Sequence, residues 1–334
     1  MKTMLGSGNF HPSHMRPFLN AAGQACVVTN GKIVPVTNAL LRYEEWLDLD
    51  RTVINAAVDR LVGVSDLISK GLVHNLGSIG LTVSQWDRVS DMDEANISIS
   101  GITKGAEDTP EFDPQSVAIP IVHKDFRLNL RRLEASRILG ESLDVTAGSL
   151  AGRLVAEKSE DMLFGGSTVK VGDASIPGYL THTNRNTVDM SKQWTDATKT
   201  GAEILADVQN MLAAARGDNY YGPFTLYIPG EYEGVLDNDY DTTTATGRTI
   251  RERLLQLSGI QEIKVVDRLS NHNVILVQLT RDVIDLAKAQ DVTTVQWEVE
   301  GGMQVRFKTY AVWAPRIKSD FSGKSGIVHM YEIP

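Results

Sequence analysis

The sequence of 334 residues contains a single cysteine, Cys26, so no disulfide can form within one chain. A fold without disulfides is typical of a reducing compartment. Long apolar stretches are also missing, because runs such as VAIPIV are far shorter than the roughly 20 residues that cross a bilayer. The first residues, MKTMLGSGNFHPSHMRP, contain no apolar run of the secretory type. We therefore expect a protein that folds inside the cell and makes no membrane contact.

Basic residues are too few for a protein that grips nucleic acid. Lys and Arg number 33 against 42 Asp and Glu, which gives a formal net charge of −9. Non-specific nucleic-acid binders need a surplus of Lys and Arg to displace counterions. An acidic chain can still enclose nucleic acid without gripping it.

The signatures of common enzyme sites are absent as well. There is no Walker loop and no dinucleotide fingerprint. Ser149 lies in GSLAG, one position too early for a nucleophile elbow. His11 and His14 have a spacing that metal ligands can use, but they have no cysteine or carboxylate beside them, and a disordered arm explains them better. We expect no enzyme activity, no cofactor and no metal site.

What the chain does contain is an informative order of elements around residues 115–166. Alternating apolar residues predict a strand there, followed by a polar, Arg-rich connection and one long amphipathic helix. Further alternation predicts partner strands upstream, at Ile79, Leu81, Val83, Ile97 and Ile99. The intervening segment GITKGAEDTPEFDP indicates a solvated tip. Because an isolated hairpin is only marginally stable in water, this ribbon needs a surface to lie on, and a neighbouring copy is the first candidate.

The remaining segments complete the predicted order. Residues 1–40 are predicted to form an arm with one strand at 26–36, and helical spacing predicts a single helix over 44–70. The helix after the ribbon should bury one face, formed by Leu143, Ala147, Leu150, Leu154 and Met162. Helix and strand signals then alternate as in a compact α/β region, and alternation at Met303, Val305 and Phe307 predicts a final return to a sheet.

This order of elements resembles the major capsid proteins of tailed bacteriophages, which have the Hong Kong 97 fold, and most closely their encapsulin or linocin-like branch. The segments that carry the resemblance are SEDMLFGG at 159–166, GPFTLYIP at 222–229, DVIDLAKAQDVTTVQWE at 282–298 and VRFKTYAVWAP at 305–315. The resemblance covers roughly residues 42–330. It implies an α+β fold with an N-terminal arm, an extended β-hairpin loop, a spine helix, a peripheral domain and an apical domain.

The resemblance also implies domain boundaries and partners. The expected parts are an arm at 1–41, an N-terminal helix region at 42–78, the extended loop at 79–130, the spine helix (142–164) with the first part of the peripheral domain at 131–199, the apical domain at 200–292 and the returning strands at 293–334. The expected partners are other copies in hexamers and pentamers, with scaffolding, portal and cement or decoration proteins. The implied place is a virion assembled in the bacterial cytoplasm, enclosing DNA without sequence-specific contacts.

Three functional hypotheses remain open from the sequence. The first is a phage major capsid protein around double-stranded DNA, the second is an encapsulin-type compartment that encloses cargo enzymes, and the third is a soluble hydrolase. The forty-residue arm and the loop at 237–248 are longer than a minimal encapsulin needs, which favours the first hypothesis. The absence of catalytic motifs disfavours the third.

Two groups of charged residues are candidates for contacts between subunits. An Arg-rich stretch with Arg127, Arg131, Arg132 and Arg137 could clamp the acidic ribbon tip of a neighbour, at Glu107, Asp108, Glu111 and Asp113. The alternative is a solvated helix start. Asp237, Asp239 and Asp241 imitate the start of a calcium loop, but Thr242 and Arg248 stand where Gly and Glu are needed, so a solvated apical loop is the better interpretation.

Some relatives with this fold join a lysine of the extended loop to an asparagine of the peripheral domain, with a buried glutamate as base. Lys104 lies at the tip where that nucleophile would be. The stretch 292–334 contains no asparagine, and its only side-chain amides are Gln296 and Gln304. We therefore expect a shell held together without covalent bonds.

Overall fold

A computed structural model of the chain describes residues 18–19, 25–29, 32–35, 43–90, 92, 94–95, 97, 99, 102, 109–139, 145–240, 247–300 and 303–332. The helices are α1 (Tyr43–Val58), α2 (Gly63–Ser69), α3 (Leu130–Leu139), α4 (Thr146–Gly165), α5 (Gly201–Gly217), α6 (Glu233–Leu236) and α7 (Ile250–Leu255). The strands are β1 (Phe18–Leu19), β2 (Ala25–Thr29), β3 (Lys32–Pro35), β4 (Val73–Asn75), β5 (Val83–Val89), β6 (Phe112–Ala118), β7 (Ile121–Asn129), β8 (Ser167–Val171), β9 (Ala174–Ile176), β10 (Asn186–Asp189), β11 (Phe224–Ile228), β12 (Ile260–Val265), β13 (Val274–Gln278), β14 (Ile284–Val299), β15 (Gln304–Ile317) and β16 (Ile327–Tyr331). None of the described helices combines the length and apolar character of a membrane span.

The chain forms two compact units, each built from several segments. The first unit consists of residues 1–82, 119–163 and 286–314, and the second of residues 83–118, 164–285 and 315–334. The first unit contains a small sheet with the order β1-β2-β3 and a larger one with the order β4-β14-β15-β7. In the larger sheet β7 is an edge strand, antiparallel to β15 from Asn129 opposite Gln304 to Ile121 opposite Val312.

The core of the first unit lies between the helices and one face of this sheet. Trp46 and Leu49 of α1 cluster with Leu133, Val305 and Phe307, all of which are buried. Since side chains alternate along a strand, Val305 and Phe307 point towards this core, and Arg306 between them is exposed on the other face. The helices therefore cover one side of the sheet and leave its arginine-bearing side to solvent.

The long helix α4 buries only part of the predicted face, because Met162 is buried but the two described leucines are exposed. Leu150 and Leu154 are 44% and 40% exposed, and Leu143 lies outside the described residues. Instead, Gly148 and Gly152 pack against α1, where a Cβ atom on Gly152 would lie 2.5 Å from the carbonyl oxygen of Val53. Ala151, Val155, Ala156 and Met162 complete the buried side. Small residues occupy this contact because they let the two helix backbones approach closely.

The predicted single helix over 44–70 is two helices, α1 and α2, separated by residues 59–62. Glu160 of α4 accepts hydrogen bonds at this break, from the backbone N–H of Gly63 (3.1 Å) and of Val64 (2.9 Å). The first N–H groups of a helix have no partner within that helix. The Glu160 side chain accepts hydrogen bonds from two of them and so stabilises the start of α2 as a separate helix.

The ribbon strands also differ from their predicted positions. Residues 79–82 precede β5, and Ile97 and Ile99 lie outside any strand. The predicted Arg-rich connection is the strand β7, in which Val122, Phe126 and Leu128 alternate with exposed polar residues. A break at Ile119 and Pro120 separates β6 from β7, since proline cannot donate to a strand ladder.

The second unit contains a five-stranded sheet with the order β10-β16-β13-β11-β12, and a second sheet, β5-β6-β9-β8. Helix α5 covers one face of the five-stranded sheet, with Val208 and Met211 packed among buried strand residues such as Leu226 and Leu276. Thr200 and Glu203 form a capping box at the start of α5. The sheet includes β10 and β16, so two of its five strands come from outside the expected apical segment 200–292.

Candidate subunit interface

The first candidate surface is the ribbon formed by β5 and β6. These strands pair antiparallel from Val83 opposite Ala118 to Val89 opposite Phe112. The ribbon and the residues beyond it expose a series of apolar side chains, namely Val89, Met92, Ile97, Ile99, Ile102 and Phe112. Single exposed apolar residues are common, but a series along one projecting element marks a contact surface. Covering these side chains with another molecule would remove apolar surface from water, which is favourable.

The root of the ribbon is fixed by ion pairs within the second unit. Arg88 of β5 pairs with Asp113 of β6, and its Nη1 also donates to the Oγ of Ser319 at 3.2 Å. Gln115 donates to the same Asp113 carboxylate at 2.9 Å. The Asp113 carboxylate is therefore bound by side chains of its own strand pair. The interpretation of Asp113 as a tip carboxylate for a neighbouring subunit is not supported, because Arg88 lies across the strand pair from it.

A second ion pair holds the other end of β5. Arg316 donates to both carboxylate oxygens of Asp285 at 2.5 and 2.6 Å and to the Oγ of Ser84 at 3.3 Å, and its guanidinium lies 5.6 Å from the ring centre of Trp86. Burial acts to raise the pKa of Asp285, but hydrogen bonds from Arg316 and Lys318 outweigh it and hold the pKa below its usual value. A buried pair of this kind is costly to break by removing one partner.

The structure describes only some of the residues predicted at the ribbon tip and in the acidic loop. Lys104, Glu107, Asp108 and Asp241 lie outside the described residues. Glu111 is exposed. Its backbone carbonyl accepts a hydrogen bond from the Ser90 N–H at 2.9 Å. The two sides of the ribbon are thus joined at Ser90 and Glu111.

The predicted arginine cluster divides between a strand and a helix start. Arg127 lies on the exposed face of β7, directly opposite Arg306 of β15. Arg131 and Arg132 are exposed in the first turn of α3, where the Arg131 N–H donates to the Oδ1 of Asn129 at 2.9 Å. The side chain of Arg137 lies outside the described ones. Arg306 was missed in the sequence, although its place between Val305 and Phe307 in an alternating strand could have identified it.

The acidic loop after α6 is closed by contacts within the second unit. The Asp237 carboxylate accepts a hydrogen bond from the Nε of Arg251 at 3.0 Å, and Asp239 pairs through its backbone with Thr249. Tyr240 lies under the guanidinium of Arg253, 5.3 Å from its ring centre. The charge of Asp237 is therefore neutralised by Arg251, whereas Asp239 is exposed to solvent.

Comparisons with known proteins agree with this architecture. A family described as "Family of unknown function (DUF6260)" matches residues 36–330. The type 1 encapsulin shell protein EncA of Myxococcus xanthus (strain DK1622) is 28% identical over 257 residues, which cover 75% of this chain and 81% of EncA.

Two solved structures show the same fold. The virus-like particle from Pyrococcus furiosus matches with a TM-score of 0.59 at 20% identity, over 85% of this chain and 98% of that one. The capsid of the Myoviridae phage XM1 matches with a TM-score of 0.62 at 10% identity, over 81% of this chain and 92% of that one. The predicted fold is confirmed: the chain has the Hong Kong 97-type α+β fold that phage capsid and encapsulin shell proteins share.

Proposed function

The chain belongs to the family of unknown function DUF6260, and we propose that it is the major capsid protein of a tailed bacteriophage, which assembles into an icosahedral shell around double-stranded DNA. One observation carries the proposal. A ribbon whose root is held by the Arg88–Asp113 pair exposes a series of apolar side chains, including the fully exposed Ile97 and Ile99. A neighbouring copy that covers them supplies the stabilisation that a lone ribbon lacks. Such a contact joins two different surfaces of identical copies, and heterologous contacts of this kind close into rings and shells.

Within this proposal each part of the chain has a place in the shell. The loop at 79–130 overlaps the next subunit, and α4 is the spine. The region 200–292 is the apical domain that meets its copies at the five-fold and six-fold centres, with Asp237, Asp239 and Asp241 at these contacts. The shell encloses DNA without sequence-specific binding, in keeping with the net charge of −9. Scaffolding, portal and cement proteins are the further partners of such a shell.

The second candidate is an encapsulin-type compartment that encloses cargo enzymes. The 28% identity to EncA favours it. The N-terminal arm at 1–41 and the loop at 237–248 favour the capsid, because both are longer than a minimal compartment shell needs. Both candidates require the same subunit contacts and differ in what the particle contains.

Expression of the full chain alone, followed by electron microscopy and analysis of purified particles, tests the proposal. We expect closed icosahedral particles. Nuclease-protected DNA in particles purified from a cell that carries the surrounding phage genes supports the capsid. A protein load without DNA supports the compartment instead. A chain that stays monomeric at all concentrations and salt conditions overturns both candidates.

A further inference from the structure

An arginine pair stands at the open edge of the β4-β14-β15-β7 sheet. Arg127 of β7 and Arg306 of β15 are opposite each other in the antiparallel register, and both are exposed. Residues placed in this way share one face of the sheet, with their Cβ atoms about 5 Å apart. Like charges so close destabilise a strand pair. The isolated subunit therefore carries an unfavourable contact on this face.

The next pair on the same face of the sheet is neutralised, unlike the arginine pair. Lys308 and Asp125 form an ion pair at 3.3 Å, and His123 lies 3.3 Å from the same Asp125 carboxylate. Neither Arg127 nor Arg306 makes a side-chain hydrogen bond or ion pair with the described part of the chain. Each guanidinium has five N–H donors in a planar fork, so this position offers many donors and no acceptor.

The arginine pair also lies on the accessible side of the sheet. Val305 and Phe307, the neighbours of Arg306 along β15, are buried in the cluster with Trp46 of α1. Arg306 and Arg127 point to the opposite side, away from the helices. A second molecule can approach this side without displacing any part of the core.

We propose that Arg127 and Arg306 together bind carboxylates on the ribbon segment 91–111 of a second copy of this chain. The proposal rests on the proposed function, since it needs a neighbouring subunit. The segment contains one lysine, Lys104, against six acids, namely Asp91, Asp93, Glu94, Glu107, Asp108 and Glu111. Guanidinium forks match carboxylates in bidentate geometry, and a negative partner turns the unfavourable arginine pair into an attractive site.

Charge complementarity favours this occupant over nucleic-acid phosphates. Every copy that joins an assembly brings an acidic ribbon, whereas a chain with a net charge of −9 repels a polyanion at long range. The Asp113 carboxylate is occupied by Arg88, so the acids available to a neighbour lie beyond the paired strands, nearer the tip.

Three single variants of the full chain test the proposal. Arg127→Glu and Arg306→Glu each place a carboxylate opposite an arginine within the subunit, so the melting temperature of the unassembled subunit should hold or rise. Assembly should become weaker instead, because the new carboxylate neutralises the remaining arginine within its own subunit. We expect the protein concentration needed for particle formation to rise by about tenfold or more, since lost charge complementarity weakens contacts strongly. Lys124→Glu, an exposed residue of the same strand on its other face, is the control and should assemble as the wild type does.

Light scattering and electron microscopy at low and high salt provide the measurement. Loss of assembly in both arginine variants supports the proposal, and so does recovery of the double variant Arg127→Glu/Arg306→Glu when Glu107→Lys and Asp108→Lys are added. Normal assembly of both arginine variants overturns it, and so does an equal loss in Lys124→Glu. Variants that assemble normally but hold less DNA would show that phosphates occupy the site, which also overturns it. If the wild type itself forms no particles, the proposed function fails, which is a distinct result.

Discussion

Glu160 is a buried carboxylate with no cationic partner among the groups that act on it. Its environment consists of the backbone N–H groups at the start of α2 and the buried carboxylate of Asp66. Burial is the main cause that raises the pKa of Glu160 to about 7, and the charge of Asp66 adds to it, while the backbone hydrogen bonds act in the opposite direction. The folded chain therefore holds a proton there that the unfolded chain releases near pH 4.5.

This difference predicts a pH dependence of stability. Between about pH 4.5 and pH 7 the folded state binds more protons than the unfolded state, so the free energy of unfolding falls as pH rises, by at most about 3 kcal/mol. Glu160→Gln cannot titrate and should lose this part of the pH slope. Urea unfolding of the unassembled wild type and variant at pH 5 and pH 8 measures it. Identical slopes in the two proteins would contradict the assignment.

Gly152 makes a prediction about the contact between α1 and α4. Alanine normally favours a helix over glycine, but a Cβ at this position would lie 2.5 Å from the Val53 carbonyl oxygen. We expect Gly152→Ala to destabilise the subunit by about 1–3 kcal/mol, because the helices must move apart. Gly165→Ala, at the end of the same helix with no atom within 4 Å, is the control and should change stability by no more than about 1 kcal/mol. Melting temperatures of the unassembled proteins distinguish the two, and equal effects would refute the close-contact explanation.

At the scale of elements, the ribbon has a root that is fixed by ion pairs and, beyond it, described apolar side chains that are exposed. The ion pairs of Arg88 and Arg316 hold the strands, and Ser90 and Glu111 close the pairing. The apolar side chains beyond this point are exposed. Under the proposed function, stability of the subunit and assembly of the shell depend on different parts of one element.

This separation can be tested by excision. Replacing residues 91–110 with an Asn-Gly turn should preserve the fold, since Ser90 and Glu111 are already hydrogen-bonded and a two-residue turn joins such strands. The shortened protein should melt like the wild type and form no closed particles, as judged by calorimetry and electron microscopy. Shells of normal size from this variant would show that the segment is not the overlap loop. A sharply lower melting temperature would show that the tip belongs to the core.

At the scale of the whole molecule, the returning strands lack the asparagine expected there for a covalent bond between subunits. Residues 292–334 contain no asparagine, and Asn271 and Asn273 lie in the second unit, where Asn273 is engaged with His329 at 2.6 Å. An unperturbed lysine, with a pKa of about 10.4, is also mostly protonated near neutrality and a poor nucleophile. Mature particles boiled in detergent should therefore release the subunit at its monomer mass of 36.6 kDa. A ladder of multimers that resists boiling and reductant would overturn this expectation.

Local periodicity by itself determined much of the order of elements, and the resemblance of that order to the major capsid proteins implied the fold. The alternation at Met303, Val305 and Phe307 predicted β15, helical spacing predicted α5, and the glycines after Phe164 predicted the end of α4. These signals are readable because burial of one face repeats with the period of the strand or helix. The sequence also predicts that a partner covers the ribbon, since a segment with little core of its own cannot bury its apolar residues, and this stays a prediction.

Contacts between distant segments decided the rest. Asp113 looks like a free tip acid in the sequence, but Arg88 lies across the strand pair and claims it. The face that α4 buries follows from glycines that admit α1, a choice that hydrophobicity alone places on the leucines. Glu160 meets the start of α2 from 96 residues away, and Arg306 meets Arg127 through the strand register. Such pairings depend on where the folded backbone places two segments, which no local pattern records.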